Sequence, residues 1–438
     1  MMTSDEIPSH AFVWIWPPNE TEPVVAGKLS AEGDALLFNY GKSYLNRDNA
    51  IPLYAPELPL QRGVIPLLPG LSMPACLRDA APDAWGRRVI IHRKLNLKGA
   101  QADPGDLNEL TYLLESGSDR IGALDFQASA TEYLPRQSSN ASLQELARAA
   151  EHIEKGLPLS HELYQALQHG TSIGGARPKA QIEADQKKYI AKFSSTTDLY
   201  SVVKAEYIAM RLADKVGLDV APVFLTQTMN KDVLLIERFD RIPTAAGWRR
   251  KAMVSALTIL GLDEMMARYA GYPELAEIIR HRFADAAATL RELYLRLVFN
   301  ILCGNTDDHA RNHAAFWDGE TLRLTPAYDI CPQPRAGNEA SQAMVIADGN
   351  RMSRISGCLN AAPHFLLSRS EAVAIAESQL AGIIDNWDAV RKEADLTPID
   401  RAFLWGRQFL NPYAFEDLTG DAASLKTMAE KARAGYPP

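Results

Sequence analysis

The chain has 438 residues, 47% hydrophobic and 23% charged, with a formal net charge of −8. That length exceeds one ordinary core, so two or three domains or lobes are expected. The balance is that of an ordinary soluble globular protein, and the acidity argues against a chain that grips nucleic acid unaided.

The opening MMTSDEIPSH has no basic stretch followed by an apolar one, so it does not read as a signal peptide. No uninterrupted apolar run approaches the ~20 residues of a membrane span. The chain is therefore expected in the cytoplasm, with no membrane partner. Cys76, Cys303, Cys331 and Cys358 show no C-x-x-C spacing, and buried free thiols are expected.

Residues 1 to 135 alternate short β-like runs with turns. Phe12 to Trp16, Val24 to Leu29 and Ala35 to Tyr40 read as strands, punctuated by Pro17-Pro18 and Glu32-Gly33-Asp34. A helical patch, Ala84 to Leu95, follows. Ser142-Leu143-Gln144-Glu145 is a capping box that opens another helix, and a second is expected to end near Gly170.

Thr171 to Ala180 then reads TSIGGARPKA. Adjacent glycines can turn backbone amides onto an anion, with Arg177 and Lys179 as nearby cations, although Gly-Gly is usually just a turn. Two strand-like runs follow, Gln181 to Ile182 and Lys188 to Phe193. Lys192 stands inside the second, otherwise apolar run, a costly place unless it meets an anion or the strand is a solvated edge. Asp198 is a candidate cap for the next helix, which Gly217 ends, and Glu206 in its middle is expected at the surface. Strands are expected at Val223 to Met229 and Val233 to Ile236, the latter running into Glu237-Arg238-Phe239-Asp240-Arg241. Beyond Trp248 helical patterns dominate: Met253 to Leu260, Pro273 to Phe283, Leu290 to Leu302, Ser368 to Ile384 and Ala423 to Ala434.

The densest chemistry lies just after Leu302. Gly304 should stop the helix, and Asn305, Asp307, Asp308, His309, Arg311 and Asn312 form a compact polar run. Ala314 to Trp317 and Thr321 to Leu324 read as a hairpin around Asp318-Gly319-Glu320, which folds the chain back so that Asp329 can return toward Asp307 and Asn312. Carboxylate, carboxamide and second carboxylate suit magnesium-assisted phosphoryl transfer: one Asp orients or deprotonates a hydroxyl, while Asn312 and Asp329 hold the metal on nucleotide phosphates. The plainer alternative is a solvated acidic loop. Asp308, beside Asp307, is expected to matter much less.

Glycine turn, strand lysine, helix with a central Glu, junction, helical lobe and then Asp307, Asn312 and Asp329 follow the order of a bilobal kinase. At this point the chain resembles the HipA-type serine/threonine kinases, toxins of bacterial toxin–antitoxin pairs. Ser172 to Lys179 is similar to that family's glycine motif, LIERFDR (235–241) to its hinge, and Gly304 to Asn312 with Tyr328-Asp329 to its catalytic and metal loops. PDAWGRR (82–88) resembles a piece of its N-terminal subdomain.

The resemblance implies an α+β, bilobal kinase-like fold: an N-terminal subdomain over 1–135, a kinase N-lobe over 136–241 and an all-helical C-lobe over 242–438. It makes Asp307 the catalytic base, with Lys192 on the ATP phosphates and Mg2+ held by Asn312 and Asp329. Gly174, Gly175, Ala176, Arg177, Pro178 and Lys179 would cover the phosphates. Glu237, Arg238 and Phe239 would meet adenine through backbone, and His309, Ala310, Arg311 and Tyr328 complete the nucleotide set. Ser172 would be an autophosphorylation site. A helix-turn-helix antitoxin is implied, with DNA reached only through it. The family's protein substrates are aminoacyl-tRNA synthetases, and nothing in this sequence chooses among them.

Three rivals stand beside this reading. His309 and His313 at i, i+4 suggest zinc, but the Glu of H-E-x-x-H is missing. A degenerate kinase serving only as an antitoxin-binding corepressor would usually have lost Asp307, Asn312, Asp329 or Lys192. A small-molecule phosphotransferase shares the Asp–Asn–Asp logic, but the long β-rich segment before the glycine motif favours the toxin.

Overall fold

A computed structural model describes residues 7–95, 105, 107–136, 141–160, 163, 177–195, 198–335 and 337–435. Among them, helices and antiparallel sheets give an α+β chain that divides into two compact units. Unit 1 comprises residues 1–197, 226–254 and 316–320; unit 2 comprises 198–225, 255–315 and 321–438.

Unit 1 opens with a five-stranded sheet, β1 (His10–Ile15), β2 (Val24–Glu32), β3 (Ala35–Tyr40), β4 (Val64–Ile65) and β5 (Leu124–Gln127), in the order β4-β3-β2-β1-β5. The β1–β2 register shifts between Val13 and Trp14, opposite Gly27. A Cβ at Gly27 would lie 2.2 Å from the Asn39 carbonyl oxygen, so only glycine lets β3 come so close.

A second sheet holds β6 (Lys179–Ala184), β7 (Lys187–Phe193), β8 (Val223–Thr228) and β9 (Lys231–Glu237), in the order β6-β7-β9-β8. Asp185 and Gln186, both at positive φ, make the tight turn between β6 and β7. One face of this sheet, through Ala180, Ala191, Phe193 and Val233, joins a core with Trp85, Val89 and helix α1 (Leu143–Glu154). The expected capping box at Ser142 is formed, and Leu146, Ala149, Ala150 and Ile153 bury that helix's apolar stripe. The helix expected to end near Gly170 lies outside the described residues.

Past Glu237 the strands continue: β10 (Arg241–Thr244) pairs with β11 (Gly247–Arg250), and β12 (Ala252–Ser255) precedes a single helical turn at Ala256–Ile259. The helix expected over Met253 to Leu260 is thus half strand, because the segment is laid against chain far along the sequence: the Ala256 N–H donates to the His313 carbonyl at 2.7 Å.

Unit 2 is dominated by helices α2 (Val202–Lys215), α3 (Tyr272–Arg282), α4 (Ala286–Cys303) and α5 (Arg369–Glu393). Ser201, not Asp198, caps α2, since its hydroxyl accepts from the Lys204 N–H. Helix α4 is buried along most of its length from Leu290 to Cys303, as its periodicity requires. The expected hairpin follows as β13 (Ala314–Trp317) and β14 (Leu322–Leu324). All four cysteines are free and buried.

Candidate active site

Gly304 ends α4 in the left-handed conformation, with φ 76°. A Cβ there would lie 2.6 Å from the Gln408 carbonyl oxygen, so both conformation and space demand glycine. The chain leaves the helix under tight control. The Asn305 N–H donates to the Asn300 carbonyl at 2.9 Å, its side-chain amide reaches Asn300 Oδ1 at 3.0 Å, and Gln342 Nε2 donates to its carbonyl at 2.9 Å.

Two neighbouring carboxylates then part company. Asp307 is exposed, whereas Asp308 is 1% exposed. The His309 N–H donates to the Asp307 carbonyl at 2.9 Å, and the Asn312 N–H to the His309 carbonyl at 2.8 Å. Asn312 Nδ2 returns to the Asp307 carbonyl at 3.1 Å, so the carboxamide is tied to the very residue assigned as base. The far side of the loop is held by Leu257, whose N–H donates to the Ala310 carbonyl at 3.2 Å, and by Tyr328, whose hydroxyl donates to the Arg311 carbonyl at 2.7 Å. Arg311 itself pairs with Glu264.

Asp329 adopts a left-handed backbone, φ 59°, an unusual conformation that Asp tolerates better than most residues. Desolvation raises the Asp307 carboxyl above its ordinary range; His309 opposes this, and the charges of Asp329 and Asp308 add to it. Mutual repulsion between Asp307 and Asp329 is what a small divalent cation relieves, and Asn312 supplies a neutral oxygen donor close by. The donor set therefore fits Mg2+, which usually takes one or two protein carboxylates and completes its shell with phosphate and water.

In unit 1, Lys192 is not on an edge: β7 lies between β6 and β9, and Lys192 pairs in register with Lys179 on one side and Leu234 on the other. The solvated-edge alternative is thereby removed. Lys179, directly opposite and on the same sheet face, is 1% exposed, and its ammonium sits 3.0 Å from Asp83 Oδ2. That corrects the assignment of Lys179 to phosphate, since its charge is already taken by PDAWGRR. The backbone here is committed too: the Lys179 carbonyl accepts from Trp85 Nε1 at 3.2 Å, and the Pro178 carbonyl from the Phe193 N–H at 3.0 Å. Arg177 is half-buried. Ser172, Gly174, Gly175 and Ala176 lie outside the described residues.

At LIERFDR the Arg238 N–H donates to the Lys188 carbonyl at 2.8 Å, so that amide already has a backbone partner. The Arg238 guanidinium is buried, donating to Asp240 Oδ2 at 2.8 Å, to Gln181 Oε1 at 2.6 Å and to the Arg120 carbonyl at 2.7 Å. Arg241 reaches Asp119 Oδ1 at 2.8 Å and the Gly122 carbonyl at 2.8 Å. Asp119 also takes the Lys188 ammonium at 2.6 Å, and these cations outweigh its burial to hold its carboxyl well below the usual range. Arg238, Asp240 and Arg241 therefore form a buried clamp between residues 119–122 and the end of β9. Glu237 spends its side chain on Lys187 at 2.7 Å, and the Phe239 ring lies 5.9 Å edge-on from that of Phe316.

Residues 171–394 match the HipA-like C-terminal domain and residues 21–127 the HipA N-terminal domain. The chain belongs to the HipA family. Among similar HipA-type sequences, the serine/threonine-protein kinase toxin HipA of Shewanella oneidensis is 28% identical over 186 residues, 36% of this chain and 42% of that one. Y4mE of Sinorhizobium fredii is 26% identical over 322 residues, 67% of this chain and 71% of that one. The structure of the Shewanella oneidensis HipA, HipB and operator DNA complex contains a chain of the same fold, with TM-score 0.66, 19% identity and 97% of each chain covered.

Several features were missed in the sequence. Glu206, expected at the surface, is 2% exposed within α2. Asp308, expected to matter less than Asp307, is buried against His313 and Tyr272. The zinc alternative weakens for the same reason: His313 Nε2 lies 2.9 Å from Asp308 Oδ1, and among the described residues no group of three His, Cys, Asp or Glu side chains could hold a metal. Asp83 and Asp119 carried no signal of their own, since what identifies them is a cation 96 or 119 positions further on. Among the described residues no helix is long and apolar enough to cross a membrane.

Proposed function

We propose that this chain is an ATP-dependent serine/threonine protein kinase that acts as a growth-inhibiting toxin. The observation that carries the reading is Asp307: it is exposed on a loop whose companions Asp308 and Asn312 are buried and tied down. Such a carboxylate is placed to accept the proton of a target serine or threonine hydroxyl.

Asn312 and Asp329 are the residues that would hold Mg2+, which when bound neutralises charge on the ATP phosphates. Lys192, on the central strand β7, is assigned to those phosphates. Glu237 and Phe239 are assigned to adenine through backbone groups other than the Arg238 N–H. His309, Ala310, Arg311 and Tyr328 shape the loop around the nucleotide. Ser172 is proposed as an autophosphorylation site, which adds about −1.5 to −2 charge beside the glycine motif and would oppose ATP binding; mass spectrometry after incubation with Mg-ATP checks it.

The Shewanella HipA is found with HipB and operator DNA. By that likeness this chain takes a helix-turn-helix antitoxin, and the net charge of −8 fits a protein that reaches DNA only through it. Its target is assigned to the aminoacyl-tRNA synthetases. The purified chain, incubated with γ-labelled ATP, Mg2+ and cell lysate, should label one dominant protein on Ser or Thr. Labelling of a small metabolite instead of protein would favour the phosphotransferase alternative, and no transfer to any acceptor would contradict both.

A further inference from the structure

Beneath the catalytic loop lies a polar core that the proposed chemistry does not use. Asp308, His313 and Tyr272 are 1%, 2% and 0% exposed. The Tyr272 hydroxyl donates to Asp308 Oδ2, and His313 Nε2 lies 2.9 Å from Asp308 Oδ1 and 3.3 Å from the Tyr272 hydroxyl. The His313 and Tyr272 rings meet edge to face at 5.6 Å. A carboxylate so deeply buried is costly unless partners meet its oxygens, and here the Tyr272 hydroxyl donates to one while the His313 ring lies beside the other.

The anchor points are rigid. Tyr272 opens α3, and its N–H donates to the Val345 carbonyl at 2.9 Å. The His313 carbonyl receives the Ala256 N–H at 2.7 Å. Asp308 and His313 thus grip the loop at both ends of the run 308–313, with Asn312 immediately before the second grip and Asp307 immediately before the first. The His309 N–H closes a tight turn on the Asp307 carbonyl with Asp308 at its centre, and within that turn Asp308 is buried while Asp307 is exposed. The same cluster borders a cavity of about 10 Å³, room for about one water, which Asn312, Asn300, Asn305 and Arg296 also line.

We infer that Asp308 is a positioning residue: through Tyr272 and His313 it sets the orientation in which Asp307 meets the acceptor hydroxyl. The inference rests on the kinase reading above but makes a separate claim. Asp308 touches no reacting atom, so its loss should act on the chemical step rather than on ATP capture.

The test compares Tyr272→Phe, Asp308→Asn and Asp308→Ala in the full chain, at a temperature where each is folded by circular dichroism. Tyr272→Phe removes one hydroxyl and little packing, so it keeps the test available if Asp308→Ala does not fold. We expect kcat to fall about three- to tenfold for Tyr272→Phe and at least about 100-fold for Asp308→Ala, with KM for ATP within about twofold. Asp308→Asn, which keeps shape and one acceptor, should recover part of the Ala loss. Hydrogen exchange at the His309 and Asn312 amides should quicken in every variant, a readout independent of turnover. Wild-type kcat in folded Tyr272→Phe and Asp308→Asn, or unchanged exchange at those two amides, would overturn the inference. A wild type that transfers no phosphate would defeat the kinase reading, while the exchange arm would still decide whether Asp308 positions the loop.

Discussion

The ammonium of Lys179 lies 3.0 Å from Asp83 Oδ2, with both side chains buried. This pair fastens PDAWGRR to the first residue of β6, at the root of the glycine motif. Removing one partner leaves an uncompensated buried charge. Asp83→Ala should therefore cost about 3–5 kcal/mol in urea unfolding, and Asp83→Ala with Lys179→Met should recover much of it. A double-variant loss equal to the sum of the Asp83→Ala and Lys179→Met losses would mean the pair contributes nothing as a pair.

Lys192 gives the contrasting case. Lys192→Met keeps the packing of the stem and deletes the ammonium. Calorimetric titration should show weaker ATP binding, or turnover should slow, while the melting temperature of the nucleotide-free protein changes little. Unaltered affinity together with unaltered turnover would remove Lys192 from the nucleotide site.

The clamp at LIERFDR predicts a defined acid sensitivity. Burial would raise the Asp240 carboxyl, but Arg238 and Arg241 outweigh it and hold it at about 2, below the ordinary 3.8. A depressed carboxyl contributes stability that is present above its unfolded value and lost as pH falls through the folded one. About 2 kcal/mol should thus disappear between roughly pH 4 and pH 2. Asp240→Asn should be less stable at neutral pH and show a flatter decline across that window. An unchanged slope in urea unfolding would mean that another group controls the acid limb.

Asp329 is tested through its metal. Asp329→Ala should weaken ATP binding in magnesium and leave it nearly unchanged in chelator. Equal weakening in both would make Asp329 a residue that supports the fold, through its left-handed turn, rather than a ligand.

Local signals in the sequence translated well into structure. Ser142 and Ser368 form the capping boxes their spacing announces, and Gly304 ends α4 where the apolar period stops. The hairpin after Asn312 was legible because β-forming runs flank a Gly turn. What stayed hidden depends on partners remote in sequence. The burial of Asp308 needs Tyr272, 36 residues earlier, and the fate of Lys179 needs Asp83. Met253 to Ser255 read as the start of a helix by pattern, yet they lie in a strand because tertiary pairing overrides so short a local preference. Lys192 showed the limit most plainly: an apolar run with one lysine suits an edge or a central strand equally, and only the β6-β7-β9 order decides.

The central claim is that Asp307 is the base. Asp307→Asn preserves shape and removes the proton acceptor, so it should keep the melting temperature and ATP affinity close to wild type. Transfer of γ-labelled phosphate to protein should fall by a factor of at least about 100. Near-wild-type transfer by a folded Asp307→Asn protein would contradict the account.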